Sequence, residues 1–132
     1  QRQMCIRDRI GNTLESAFAS CSLSTSSGVQ NWDIANVTSL DSTFINTSID
    51  TNLSGWNIGN TTTALNFMAG VTLSTTNYNN ILRGWQIQAV SGRVLTISFG
   101  SSTYTSASAA ATARGILVAA PYSWVITDGG TA

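Results

Sequence analysis

The side chains that could perform chemistry are few. The chain contains no histidine, which excludes Ser–His triads, histidine acid–base catalysis and histidine metal sites. A pair of carboxylates could still support glycoside hydrolysis, and the candidates are Glu15, Asp33, Asp41, Asp50 and Asp128. Asp33 stands beside a tryptophan, Glu15 and Asp41 suit helix N-termini, and Asp128 suits a turn. The pattern therefore predicts structural carboxylates and no enzyme activity.

Two further features invite a chemical interpretation. Cys21 lies in a serine-rich stretch without a base partner in the sequence, so an inert small residue is favoured over a nucleophile. Asp128, Gly129 and Gly130 resemble part of a calcium-binding repeat. They stand alone, without the spaced acidic ligands that calcium requires, so a turn is favoured. The sequence predicts neither a metal nor another cofactor.

The composition points away from an ordinary cytosolic enzyme. Charged residues make up 9% of the chain, against about 25% in a typical soluble domain. Serine and threonine occupy 36 of the 132 positions, which is typical of secreted stalks, adhesins and virion fibres. Lysine is absent and no basic run occurs, so nucleic acid is not an expected partner. The longest apolar stretch, near 116–120, is far too short to span a membrane.

The first nine residues differ from the rest. They hold three of the six arginines and one of the two cysteines, and the composition changes abruptly at Ile10. This stretch resembles a translated sequencing adapter from assembled metagenomic reads, and the alternative is a genuine charged tail. We therefore expect a non-native segment over 1–9, and a fragment of a longer protein from Ile10 onward.

A repeat follows. The segment 31–36, Asn-Trp-Asp-Ile-Ala-Asn, matches 55–60, Gly-Trp-Asn-Ile-Gly-Asn, at an offset of 24. Residues 38–44 match 12–18 at an offset of 26. In each unit Trp-x-Ile alternates as in a short strand, and Leu-x-x-x-Phe suits one face of a short helix. Such units bury their apolar faces only by stacking on one another.

This unit resembles the repeat of the BspA-like leucine-rich-repeat surface proteins, whose core reads Trp-Asp-Val/Ile-Ser-Asn-Val-Thr before a short helix with Met-Phe. Here the matching core is Trp32 to Thr38, with Leu40 and Phe44 near the Met and Phe positions. The second unit departs from the pattern at Asn57, Gly59 and Thr61. The resemblance implies an α/β fold, a leucine-rich-repeat-like solenoid of short strands and short helices with an atypical C-terminal cap.

The repeat stops after Gly70, and residues 71–132 are the expected capping unit after repeats over 10–70. An apolar stripe of Tyr78, Ile81, Leu82 and Trp85 predicts an amphipathic helix, capped by Thr75 or Thr76. We also expect a strand over 94–99, an alanine-rich helix over 106–119 capped by Ser106 or Ser108, and a strand over 124–127. The expected order is helix, strand, helix, strand, with parallel stacking.

The tryptophans allow two interpretations, carbohydrate stacking or core packing, and their repeat spacing favours the core. The predicted repeat-register core residues are Leu14, Phe18, Trp32, Ile34, Leu40, Phe44, Trp56, Ile58, Met68, Trp85 and Trp124.

With the resemblance, these features predict a non-catalytic, extracellular or cell-surface repeat fragment. Its expected role is adhesion or recognition of a protein or glycan ligand, with further repeats of the same chain upstream. Two alternatives stay open: a phage tail-fibre or virion decoration segment, and an accessory binding module of a secreted hydrolase.

Overall fold

The computed structural model describes residues 34–47 and 49–132. Several residues named above lie outside the described part: the adapter-like stretch, Cys21, the candidate carboxylates Glu15 and Asp33, and the register residues Leu14, Phe18 and Trp32. The helices and strands of the described part are α1 (Thr75–Gln88), β1 (Thr96–Ser98), α2 (Ala109–Val118) and β2 (Val125–Thr127). The order predicted for the C-terminal unit is therefore confirmed.

Helix α1 begins at a serine cap. The Ser74 hydroxyl accepts a hydrogen bond from the Asn77 amide, while the Ser74 backbone stays extended, as an N-cap requires. The predicted cap at Thr75 or Thr76 is thus one or two residues too late, since both are already helical. The predicted apolar stripe is confirmed, because its four members, from Tyr78 to Trp85, are the buried residues of the helix.

Helix α2 begins later than predicted. The φ angle of Ala107 is 51°, in the left-handed region that a right-handed helix cannot contain. The helix therefore starts after this residue, and the Ser108 hydroxyl caps it by accepting from the Ala111 amide. The prediction of Ser108 as a cap is confirmed, and the start at 106 is wrong.

In the described part of the repeat region, the helix predicted at Leu40 to Phe44 is not formed. Between Leu40 and Thr47 the chain forms two successive turns, with φ angles of 56° at Ser42 and 58° at Asn46. A left-handed residue every fourth position prevents α-helical continuation. Asn66 and Gly70, 24 residues further on, repeat these positive φ angles. The predicted strand at Trp56 to Ile58 is also absent, since these residues are irregular and lie between two turns.

Backbone hydrogen bonds explain this preference for turns. The amides of alternate residues 40, 42, 44 and 46 donate to the carbonyls of 63, 65, 67 and 69, over 2.8–2.9 Å. The intervening amides of 43, 45 and 47 donate to carbonyls three residues back. The Asp41 amide donates to the Ser39 hydroxyl, so every backbone amide from 40 to 47 is satisfied without α-helical bonds.

The same side-by-side arrangement continues along the chain. Parallel bridges join Ser39 to Thr63 and Ala64 to Ile97, and β1 pairs in parallel with β2, Ile97 opposite Ile126. The segments around residues 39, 63–64, 97 and 126 thus lie side by side in sequence order. Helix α1 lies in the connection between the second and third segments and α2 in the connection between the third and fourth, and the two helices pack together. The full solenoid stays a prediction, because it extends beyond the described residues.

Aromatic rings form the centre of the core. Phe67 is fully buried, and its ring lies 5.5–6.4 Å from the rings of Phe44, Trp56, Trp85 and Phe99. These rings come from both sides of Gly70, where the repeat pattern stops. The core is therefore continuous across that point.

Gly100 supports a first prediction about stability. Its φ angle is 65°, and a β-carbon there would overlap the Val71 carbonyl and lie 2.7 Å from the Met68 carbonyl oxygen. We expect Gly100→Ala to lower the free energy of unfolding by about 2 kcal/mol, from left-handed strain and backbone overlap. Urea denaturation measures this change.

The matched control is Gly115→Ala. Gly115 lies within α2, and nothing stands within 4 Å of an added β-carbon. Alanine should stabilise this helix by up to about 1 kcal/mol. Equal effects of the two substitutions would contradict the close approach at Gly100.

Candidate functional site

The repeat-register residues lie inside the molecule. Those that the structure describes, namely Ile34, Leu40, Phe44, Trp56, Ile58, Met68, Trp85 and Trp124, are all buried. The Trp85 indole Nε1 also donates to the Leu53 carbonyl oxygen, over 2.9 Å. The indole faces of the three described tryptophans are therefore covered and offer no platform for a sugar ring.

Two of the candidate carboxylates join segments one repeat apart. Asp41 Oδ1 accepts from the Thr63 hydroxyl and the Leu65 amide, both over 2.7 Å. Asp50 Oδ1 accepts from the Ser74 amide and from the Asn77 side chain, both over 2.8 Å. The prediction that Asp41 lies at a helix N-terminus is therefore wrong, because its carboxylate binds the neighbouring segment. Asp50 holds the beginning of α1.

The third carboxylate belongs to a buried cluster of Tyr78, Arg114 and Asp128. The Arg114 guanidinium contacts both carboxylate oxygens of Asp128, with Nε 2.8 Å from Oδ2 and Nη2 3.2 Å from Oδ1. The Tyr78 hydroxyl donates to Oδ2 over 2.5 Å, and the Gly130 amide donates to Oδ1 over 3.0 Å. The Asp128 side chain is only 3% exposed. This cluster ties α1, α2 and the turn after β2 together.

Protonation states in this cluster match a structural role. Burial, followed by the hydrogen bond to Asp128, raises the pKa of Tyr78 far above its usual value. Burial alone would lower the pKa of Arg114, but the hydrogen bond and charge of Asp128 raise it above its usual value. The tyrosine stays neutral and the arginine stays charged at physiological pH. Neither is poised for proton transfer.

Within residues 34–47 and 49–132, no group of three or more acidic, cysteine or histidine side chains could hold a metal ion. No helix in this part of the chain is both long and apolar enough to cross a membrane. Asp128, the residue of the calcium-like motif, is engaged by Arg114, Tyr78 and its own turn.

A cleft lies between the outer faces of the two helices, and we call it the α1–α2 cleft. Its volume is about 660 Å³, within the range of about 300–1,000 Å³ that ligand pockets occupy. Its lining includes Asn52, Asn80, Arg83, Gln86, Ile87 and Ile116. Amides, one cation and two aliphatic side chains therefore share a single concave surface.

Gly84 positions this cleft. A β-carbon at Gly84 would lie 2.7 Å from Ser54 Cβ and 2.8 Å from the Ser54 carbonyl oxygen. The absence of a side chain lets α1 lie directly on the turn that carries Asn52. Helix α1 continues through this glycine to Gln88.

Arg83 differs from the other two arginines of the described part. Arg114 pairs with Asp128, and Arg93 donates to the Gly59 carbonyl. Arg83 is exposed and has no hydrogen-bond or ion-pair partner among the described residues. All three described carboxylates are engaged elsewhere. The cleft therefore carries a positive charge that no described side chain neutralises.

The sequence analysis predicted neither the cluster of Tyr78, Arg114 and Asp128 nor the α1–α2 cleft. A tyrosine within a buried stripe signals a need for a hydrogen-bond partner, and an arginine within an alanine-rich helix signals a paired or exposed charge. Those signals do not identify which residues meet. No pattern indicated the cleft, because its walls come from three separate segments.

Comparison with known proteins identifies one family. A family model described as "Mycoplasma protein of unknown function, DUF285" matches residues 12–99. No curated protein and no solved structure matches the chain.

Proposed function

This chain belongs to the DUF285 family, and we propose that it is a non-catalytic recognition segment. The longer protein would be a BspA-like leucine-rich-repeat surface protein. The matched region contains both Trp-x-Ile units that carry the resemblance. We place the protein outside the cell or on its surface, since a weakly charged, hydroxyl-rich surface is typical there. Its role is adhesion through a bound ligand.

The proposed solenoid is supported by hydrogen bonds that follow the repeat period. The Thr61 and Thr62 hydroxyls donate to the carbonyls of Val37 and Thr38, each 24 residues earlier. The Asp41 to Leu65 bond spans the same interval. Repeated bonds of this kind let each unit stack on the previous one, as in repeat proteins generally.

The observation that carries the recognition role is the α1–α2 cleft. It combines an unneutralised guanidinium with amide groups and exposed aliphatic side chains, the mixture that fixes orientation in ligand sites. The lack of catalytic activity is supported by the carboxylates, because Asp41, Asp50 and Asp128 all hold neighbouring backbone or side-chain groups. Among the described residues, no carboxylate is left to act as a general acid or nucleophile.

A binding array tests this proposal. We expect the full 132-residue chain to bind, saturably and without cleavage, some members of an array of defined glycans and capped octapeptides. Fluorescence measures binding, and mass spectrometry of the array members detects hydrolysis. Binding to neither class, or cleavage of a bound member, would refute the proposed function.

A further inference from the structure

We infer that the α1–α2 cleft binds a peptide segment in which a carboxylate side chain stands next to an aliphatic one. The inference rests on the proposed recognition function and names the ligand class of that site. It depends on three properties of the cleft: its charge, its apolar surface and the absence of aromatic lining.

The charge selects an acidic group. Arg83 presents a planar guanidinium, which binds carboxylates through two parallel hydrogen bonds. No aspartate or glutamate is among the described residues that line the cleft. An incoming carboxylate therefore meets no internal competitor and no like charge.

The apolar surface selects an aliphatic neighbour. Ile87 is 81% exposed and Ile116 is 38% exposed, although each lies on a helix. Both line the same cleft as Arg83. A leucine- or isoleucine-like side chain placed between them would remove apolar surface from water, which stabilises a complex.

The polar lining suits a peptide backbone. Asn80 and Gln86 offer both amide donors and acceptors. Asn52 uses its Oδ1 atom to accept from the Ser54 amide, so its Nδ2 group remains as a donor. Backbone N–H and C=O groups of an extended segment match this mixture of partners.

A sugar fits less well. The lining residues include no aromatic side chain, and the described tryptophans, Trp56, Trp85 and Trp124, are buried elsewhere. A sugar would thus gain hydrogen bonds but no aromatic face on which to stack. The observations favour the peptide.

The test uses four octapeptides with acetylated and amidated ends, whose central pair is Glu-Leu, Gln-Leu, Glu-Ser or Gln-Ser. We expect the Glu-Leu peptide to bind the full chain about tenfold more tightly than the Gln-Leu peptide, from the charge-assisted bond. The Glu-Ser peptide should bind several-fold more weakly than Glu-Leu. Chemical shifts of the isoleucine methyl groups in nuclear magnetic resonance titrations report the site and the affinity.

Variants distinguish binding in the cleft from a general effect of net charge or of exposed apolar surface. Arg83→Gln should weaken Glu-Leu binding about tenfold and abolish the preference for Glu over Gln. The control Asn36→Asp changes the net charge by the same amount at an exposed position away from the cleft, and should leave binding unchanged. Ile87→Ser should remove the preference for Leu over Ser, whereas Leu65→Ser, at another exposed apolar position, should not.

The outcomes separate the inference from the proposed function. Equal binding of the four peptides, or Glu-Leu binding that survives Arg83→Gln, overturns the inference. Saturable binding of neutral glycans without peptide binding also overturns it, and leaves the recognition function standing. Binding of neither class refutes both.

Discussion

Replacing Phe67 by alanine is expected to lower the free energy of unfolding by about 3–5 kcal/mol, the range for removing a buried aromatic side chain. Phe67 is fully buried, and its ring packs against four other aromatic rings. The substitution leaves a cavity, and these rigid rings cannot fill it by a small shift. A domain of this kind has about 5–15 kcal/mol of stability, so the loss is a large part of the total. Urea denaturation followed by tryptophan fluorescence measures it.

The control lies two residues away. Leu65 is 49% exposed, and only its backbone amide takes part in the bond to Asp41. Leu65→Ala should therefore change the free energy of unfolding by less than about 0.5 kcal/mol. If both variants lost the same stability, Phe67 would not be the centre of the core.

Removing the Asp128 carboxylate is expected to have the second-largest effect. Asp128→Ala removes the acceptor of the Tyr78 hydroxyl and leaves the Arg114 guanidinium with a single long hydrogen bond, to the Ile126 carbonyl over 3.5 Å. Breaking a buried ion pair from one side costs about 3–5 kcal/mol. Arg114 is 22% exposed and keeps some water contact, so we expect about 2–4 kcal/mol here. Thermal and urea unfolding measure the loss.

A double-mutant cycle identifies the source of this effect. Asp128→Asn and Arg114→Gln, singly and together, should show a coupling energy of about 1–3 kcal/mol, as expected for residues in direct contact. Additive effects within about 0.5 kcal/mol would mean that the ion pair contributes little. The loss in Asp128→Ala would then come from the Tyr78 hydroxyl and the turn at Gly130.

The elements best predicted from the sequence are those whose signals are local. The stripe of α1 follows from apolar spacing alone, since residues three and four apart share a helix face. The Ser108 cap is equally local, because its hydroxyl meets an amide three residues away. Both features depend on contacts within a single turn of chain.

The predicted helix at Leu40 to Phe44 shows where local reasoning fails. Two apolar residues four apart fit one helical face, but they also fit two successive four-residue turns. The choice depends on the neighbouring segment, whose carbonyls at 63 to 69 accept the alternate amides. The spacing within the segment does not contain this information.

The candidate site was less predictable than the fold. The sequence identified Asp128 and Tyr78 separately, but not their meeting with Arg114, because those residues are 14 to 50 positions apart. The α1–α2 cleft is likewise formed by three segments. Arg83 acquires significance only because every described carboxylate is bound elsewhere.

The period of the repeat can be read directly from the amino-acid sequence. The offset of 24 between the matching segments is also the separation at which residues hydrogen-bond, as Asp41 does with Leu65 and Asp50 with Ser74. Similar side chains recur because each unit must cover the same face of its neighbour. The turns, the ion pair of Arg114 and Asp128, and the cleft could be found only in the folded chain. These arise from groups distant in sequence, whose hydrogen bonds and charges are satisfied only after the segments pack together.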